Sequence, residues 1–193
     1  ERQVVADVRE KFRVCRCPPD FYVMNKLLRR EMLLRLGLRF RERVCYEDVE
    51  YTMRVLCEGG DAVTVPDVVY RYNGTHSNKR ITLACTKDYL RGLIAELKLS
   101  KKKDLPEIHT LCCDRLMREA DFYAQRFLKT EDPELLALLL EANAAVSPQL
   151  LKDPPENGSV ILPALRTIWH AGCRYLRWRD QRIIRTLCDV FVK

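Results

Sequence analysis

The hydrophobic pattern changes character once along the chain, near residue 82, and that change limits the fold more than any other feature. Beyond it, apolar residues recur every three or four positions almost to the end, the period of an amphipathic helix. Before it, helical spacing gives way to one β-branched and aromatic stretch. Ala62-Val63-Thr64-Val65 and Val68-Val69-Tyr70-Arg71-Tyr72 flank Pro66-Asp67 and read as two short strands or one bent strand. The expectation is an α+β protein. Residues 1–82 form a partial core of short strands and helices, and residues 83–193 a mainly α-helical C-terminal region.

Local signals place the elements. Leu27, Leu28, Met32 and Leu34 give residues 25–36 a basic amphipathic helical pattern, with Gly37 as its stop. A second helix is expected from Glu47 to the Gly59-Gly60 break, and Asn73-Gly74 marks a turn. Further helices are expected over 86–99, over 106–128 and from Asp132-Pro133 to about Ala144. For the second of these, Asp104 and Glu107 suggest a capping box. Four prolines or turn pairs between Ser147 and Gly158 read as a loop, and a last helix is expected over 163–192.

The chain is long enough to bury a core, and its 47% hydrophobic and 32% charged residues are ordinary for a globular protein. No run of uncharged apolar residues is long enough for a transmembrane helix. The chain opens at Glu1 with no signal-peptide pattern, as a piece of a longer protein would. A net charge of +7 favours anionic partners over cationic ones. The nine cysteines show no CxxC pair, so neither a zinc site nor a disulfide framework is expected. They read as reduced cytoplasmic thiols, with Cys57, Cys112 and Cys188 in apolar helical positions acting as small hydrophobes.

Glu47-Asp48 is an acidic pair at a helix start, where carboxylates complement the macrodipole whether or not they do chemistry. Order adds information that the pair alone lacks. Asn25-Lys26-Leu27 precedes Arg29-Arg30-Glu31; Gly37-Leu38-Arg39-Phe40 follows, then Tyr46-Glu47-Asp48-Val49, then Val65-Pro66-Asp67-Val68-Val69-Tyr70-Arg71-Tyr72 and His76. This succession, spanning about residues 20–80, resembles the acceptor-side segment of family 2 glycosyltransferases, enzymes of the GT-A fold.

The resemblance implies a transferase that moves a sugar from a nucleotide-sugar donor to an acceptor hydroxyl with inversion, in glycan biosynthesis. It implies Asp48 as the general base, because a hydroxyl is a poor nucleophile until a carboxylate takes its proton. Glu47 would orient the acceptor. His76 would help hold Mn²⁺ or Mg²⁺ against the leaving diphosphate. Asn25, Lys26, Arg30 and Arg71 are candidate substrate contacts, set against ordinary roles on solvated faces. The family's nucleotide-binding strands and D-x-D metal motif do not occur before Asn25, so these 193 residues are not expected to turn over alone.

Between Arg174 and Phe191, arginines oppose an apolar arc. The pattern fits a helix packed on a core with a solvated face, or peripheral contact with the inner face of a membrane. The acceptor would be a glycan or a lipid-linked molecule. Two other classes compete. A non-enzymatic helical protein-interaction module predicts that Asp48→Asn changes nothing catalytic. A basic nucleic-acid-binding domain predicts affinity that falls steeply with salt, but no nucleic-acid-binding signature is present and none is expected as a partner.

Overall fold

The computed structural model describes residues 2–15, 22–67, 70–71 and 81–146. Helix makes up 66% of it, beside one two-stranded antiparallel sheet, an arrangement compatible with the α+β class. The order is β1 (Gln3–Val5), α1 (Val8–Val14), α2 (Arg30–Leu36), α3 (Glu47–Glu58), β2 (Ala62–Thr64), α4 (Leu83–Lys102), α5 (Pro106–Thr130) and α6 (Pro133–Ala145). No helix among the described residues is long and apolar enough to cross a membrane.

Two compact units divide the chain, Glu1–His109 and Thr110–Lys193. Helix α4 packs on α3 and lies in the first of these units. In that unit β1 pairs with β2 in the register Gln3↔Thr64, Val4↔Val63, Val5↔Ala62. This pairing joins a strand at the start of the chain to the first part of the strand signal read over residues 62–72. The strand expected after Pro66 is not formed at Tyr70 and Arg71, and its other residues lie outside the described ones.

Helix α1 starts where Asp7 Oδ1 accepts the Glu10 N–H at 2.9 Å, a side-chain cap for one of the helix's free donors. It packs on α3 and sinks Phe12 into the core. Lys11 is buried too, its ammonium donating to the Gly59 carbonyl at 3.2 Å. That carbonyl lies at the C-terminal end of α3, where the helix dipole favours a cation.

Helix α2 begins five residues later than the hydrophobic spacing suggests, at Arg30. Residues 26–29 are not helical. Leu27 stands out at 88% exposure while Leu28 turns inward, the alternation of an extended chain. Gly37, at φ 60°, ends the helix as expected. Its N–H donates to Leu34 O at 3.2 Å and the Leu38 N–H to Leu33 O at 3.0 Å, the paired closure of a Schellman motif. Met32, Leu33 and Leu36 pack with Leu28 and Val23 against Leu38, Tyr51 and Val55. Phe40 stacks on Tyr51, ring centroids 3.9 Å apart.

Helices α3 and α4 meet at Gly92, where an added Cβ would stand 3.1 Å from Val49 Cγ1. A side chain there would have to push Val49 aside by a few tenths of an ångström. Met53 from α3 and Leu90, Leu93 and Leu97 from α4 are almost wholly buried. Asp104 takes a left-handed conformation, φ 53°, which rules out the capping box expected there, since a cap residue is extended.

In the second unit, α5 buries Leu116, Met117, Tyr123 and Phe127, and α6 buries Leu135, Leu136 and Leu139. Asp132 Oδ1 caps α6 by accepting the Leu135 N–H at 2.8 Å, with Pro133 in the first turn. This is the start that the Asp-Pro pair announced.

Candidate active site at the start of helix α3

The acidic pair lies in the first turn of α3, where Glu47, Asp48 and Glu50 gather at the positive end of the helix dipole. The chain enters through two non-glycine residues in the left-handed region, Arg43 at φ 58° and Tyr46 at φ 57°. Such conformations persist where the surroundings hold them, and here α4 does so. The Cys45 N–H donates to Asp88 Oδ2 at 3.1 Å, and Asp88 also accepts from Arg91 at 2.8 Å. The Tyr46 ring lies 4.7 Å from that of Tyr89. Cys45 and Cys85 form a disulfide with Cα atoms 5.0 Å apart.

The bridge corrects the reading of the cysteines as thiols throughout. Its partners are 40 residues apart in sequence, so no local spacing could announce it. Cys15, Cys57, Cys112 and Cys113 are not disulfide-bonded, and the last two are buried. Closing a loop of this length restricts the unfolded chain by about 4 kcal/mol at most. Cys85→Ser is therefore expected to lower stability by about 2–4 kcal/mol in oxidising buffer and to change little under reductant. Urea titrations of both forms, with and without dithiothreitol, measure the difference.

Asp48 is half-buried and Glu47 exposed. Burial pushes the Asp48 carboxyl above the usual range, and the neighbouring Glu47 charge pushes it further. The N–H groups of Asp48 and Val49 and the charge of Lys26 oppose that rise without cancelling it. Within one helical turn Glu47 is exposed, while Asp48 is half-buried with raised proton affinity, a property that suits a general base.

Lys26 links this turn to a cavity of about 690 Å³. Its ammonium donates to Asn25 Oδ1 at 2.7 Å and to the Tyr22 carbonyl. Asn25, Lys26 and Arg29 line one side of the cavity, Met32, Val55 and Leu56 the apolar floor, and Ala62, Val63 and Thr64 of β2 another side. The volume suits a small organic ligand. Lys11, Cys15, Asp67 and Tyr70 also reach it. Sequence reasoning had not singled these out, although Asp67 and Tyr70 stood inside the motif string. Lys11 gave no signal, since its burial depends on a carbonyl 48 residues away.

The cavity's thiol is no nucleophile. Burial raises the Cys15 thiol against the pull of Lys26. Cys57, elsewhere in the unit, is pushed up to about 11, mainly by burial. Neither is a thiolate at neutral pH.

The structure thus places Asn25 and Lys26 on the cavity, with Asp48 within the electrostatic influence of Lys26; neither Glu47 nor Asp48 lines the cavity. Arg30 is exposed on α2 and Arg71 is exposed after Tyr70, and neither lines the cavity. His76 and the 174–191 helix lie outside the described residues. Among the described residues no three His, Cys, Asp or Glu side chains converge as metal ligands, so these residues alone do not make an Mn²⁺ or Mg²⁺ site. The chain matches no protein-family model, no curated protein and no solved structure.

Proposed function

We propose that this chain is the acceptor-side part of an inverting, nucleotide-sugar-dependent glycosyltransferase of GT-A type, with Asp48 as the base. The observation that carries the reading is the half-buried Asp48 carboxyl in the first turn of α3. Its proton affinity is raised by burial and Glu47 and drawn back by Lys26, which lines a ligand-sized cavity. The order of motifs from Asn25 to Tyr72 supplies the reaction class.

In this mechanism the acceptor hydroxyl gives its proton to Asp48 as its oxygen attacks the anomeric carbon. The bond from that carbon to the diphosphate breaks, and the nucleoside diphosphate leaves with the electron pair. Glu47 orients the acceptor, and Asn25 and Lys26 hold it. A divalent cation bound by the donor-binding part would neutralise the leaving diphosphate; the residues described here are not assigned to it. The place of action is the cytoplasmic side of a membrane, with a glycan or lipid-linked acceptor. The Asp88 bond to the Cys45 N–H anchors the helix start beside the Cys45–Cys85 bridge.

The stereochemical outcome tests the reaction class. With an α-linked donor, the full-length protein is expected to give a β-linked product, read from the anomeric proton coupling by NMR. An α-linked product would contradict single displacement with one base.

A further inference from the structure

We infer that the outer surface running from Leu27 through α2 to Arg43 docks on an anionic lipid bilayer. Between Lys26 and Arg43 stand seven basic side chains and two acidic ones, a balance of +5 within a chain whose net charge is +7. A stretch of 18 residues thus carries a strong local excess of positive charge. Arg29, Arg30, Arg35, Arg39 and Arg43 are all exposed. None of the five guanidinium groups has an ion pair or hydrogen bond among the described residues; in this stretch Arg41 reaches Glu50 at 3.3 Å and Lys26 is tied to Asn25.

The orientation of α2 is set by its inner face. Met32, Leu33 and Leu36 pack against Leu38, Tyr51 and Val55. At 100° per residue, Arg30, Leu34 and Arg35 then point away from that contact. Leu34 is 58% exposed and Leu27 88%, on a helix with no fully buried residue. Arginines that lack partners, interleaved with leucines that lack cover, fit an interface that is anionic at its surface and apolar just beneath. A bilayer containing acidic lipids has that profile. Nucleic acid would meet the arginines but leave the two leucines in water. The proposal does not depend on the transferase reading.

Sedimentation of the protein with phosphatidylcholine vesicles, with and without phosphatidylserine, tests it. Binding is expected only to the phosphatidylserine vesicles and is lost at high salt. Each arginine near such a surface strengthens binding about fivefold, so Arg35→Gln, Arg39→Gln and Arg43→Gln together are expected to weaken it on the order of a hundredfold. Leu27→Ser with Leu34→Ser is expected to weaken it by about tenfold or more. Circular dichroism confirms that both variants stay folded. The proposal is overturned if the wild type does not sediment, or if the arginine variant binds as well as the wild type. It is overturned equally if the leucine variant binds lipid undiminished while duplex DNA binding disappears with the arginines.

Discussion

Asp48→Asn is expected, on the proposed transferase reading, to reduce the turnover of the full-length protein by about 10²-fold or more while leaving donor affinity nearly unchanged. The amide keeps the shape and the hydrogen-bond acceptor but cannot take a proton. A loss confined to kcat, with donor binding intact by calorimetry, is the signature of a missing base rather than a damaged fold. The pH dependence should agree. Asp48 must be ionised to act, and burial together with Glu47 raises its proton affinity, so the acid limb of the wild-type rate profile is expected above the usual aspartate range.

Stability is expected to move the other way. A carboxyl whose folded value is raised favours the protonated state. Its contribution is fully present below the ordinary aspartate value and is lost as pH rises through the raised one. Asp48→Asn should therefore stabilise the protein at neutral pH, with the gain shrinking as the solution becomes acidic. Opposite effects on turnover and stability are what a site retained for chemistry gives.

The second large effect belongs to the core. Phe12→Ala is expected to destabilise the first unit by about 3–5 kcal/mol. Phe12 is 1% exposed on a helix of seven residues, so nothing else on α1 can take over its burial. Against a whole-domain stability of about 5–15 kcal/mol, such a loss populates the unfolded state. The buried Lys11 would be released from the Gly59 carbonyl with it. Urea unfolding followed by circular dichroism measures the shift, and Leu27→Ala, at a position facing solvent, should stay within about 0.5 kcal/mol of the wild type.

These effects track how much of the molecule could be read from its sequence. Elements with chemical punctuation were legible: α3 between Glu47 and the Gly59-Gly60 break, α2's end at Gly37, and α6 behind Asp132-Pro133. Elements too short to show a period were not. β1 has three residues and α1 seven, and both form because the first unit gives them partners, β2 for one and α3 for the other. Residues 26–29 carried a helical pattern but lie extended, since Leu28 joins the cluster around Tyr51 while Leu27 faces water.

The site divides in the same way. The acidic pair was visible because both carboxylates sit on one turn of one helix. What raises Asp48's proton affinity includes burial against the rest of the unit, which no local spacing encodes. The Cys45–Cys85 contact spans 40 positions and the Asp88 anchor of the Cys45 N–H spans 43, so both are neighbours of the motif only in space. Arg30 and Arg71 matched the motif in sequence yet stand apart from the cavity.

Release of nucleoside diphosphate by the full-length protein, followed across a panel of sugar nucleotides with and without acceptor, tests the transferase reading most directly. Acceptor-dependent release from at least one donor, falling about a hundredfold in Asp48→Asn, is the expected result. No release from any donor, or release undiminished in Asp48→Asn, would contradict it.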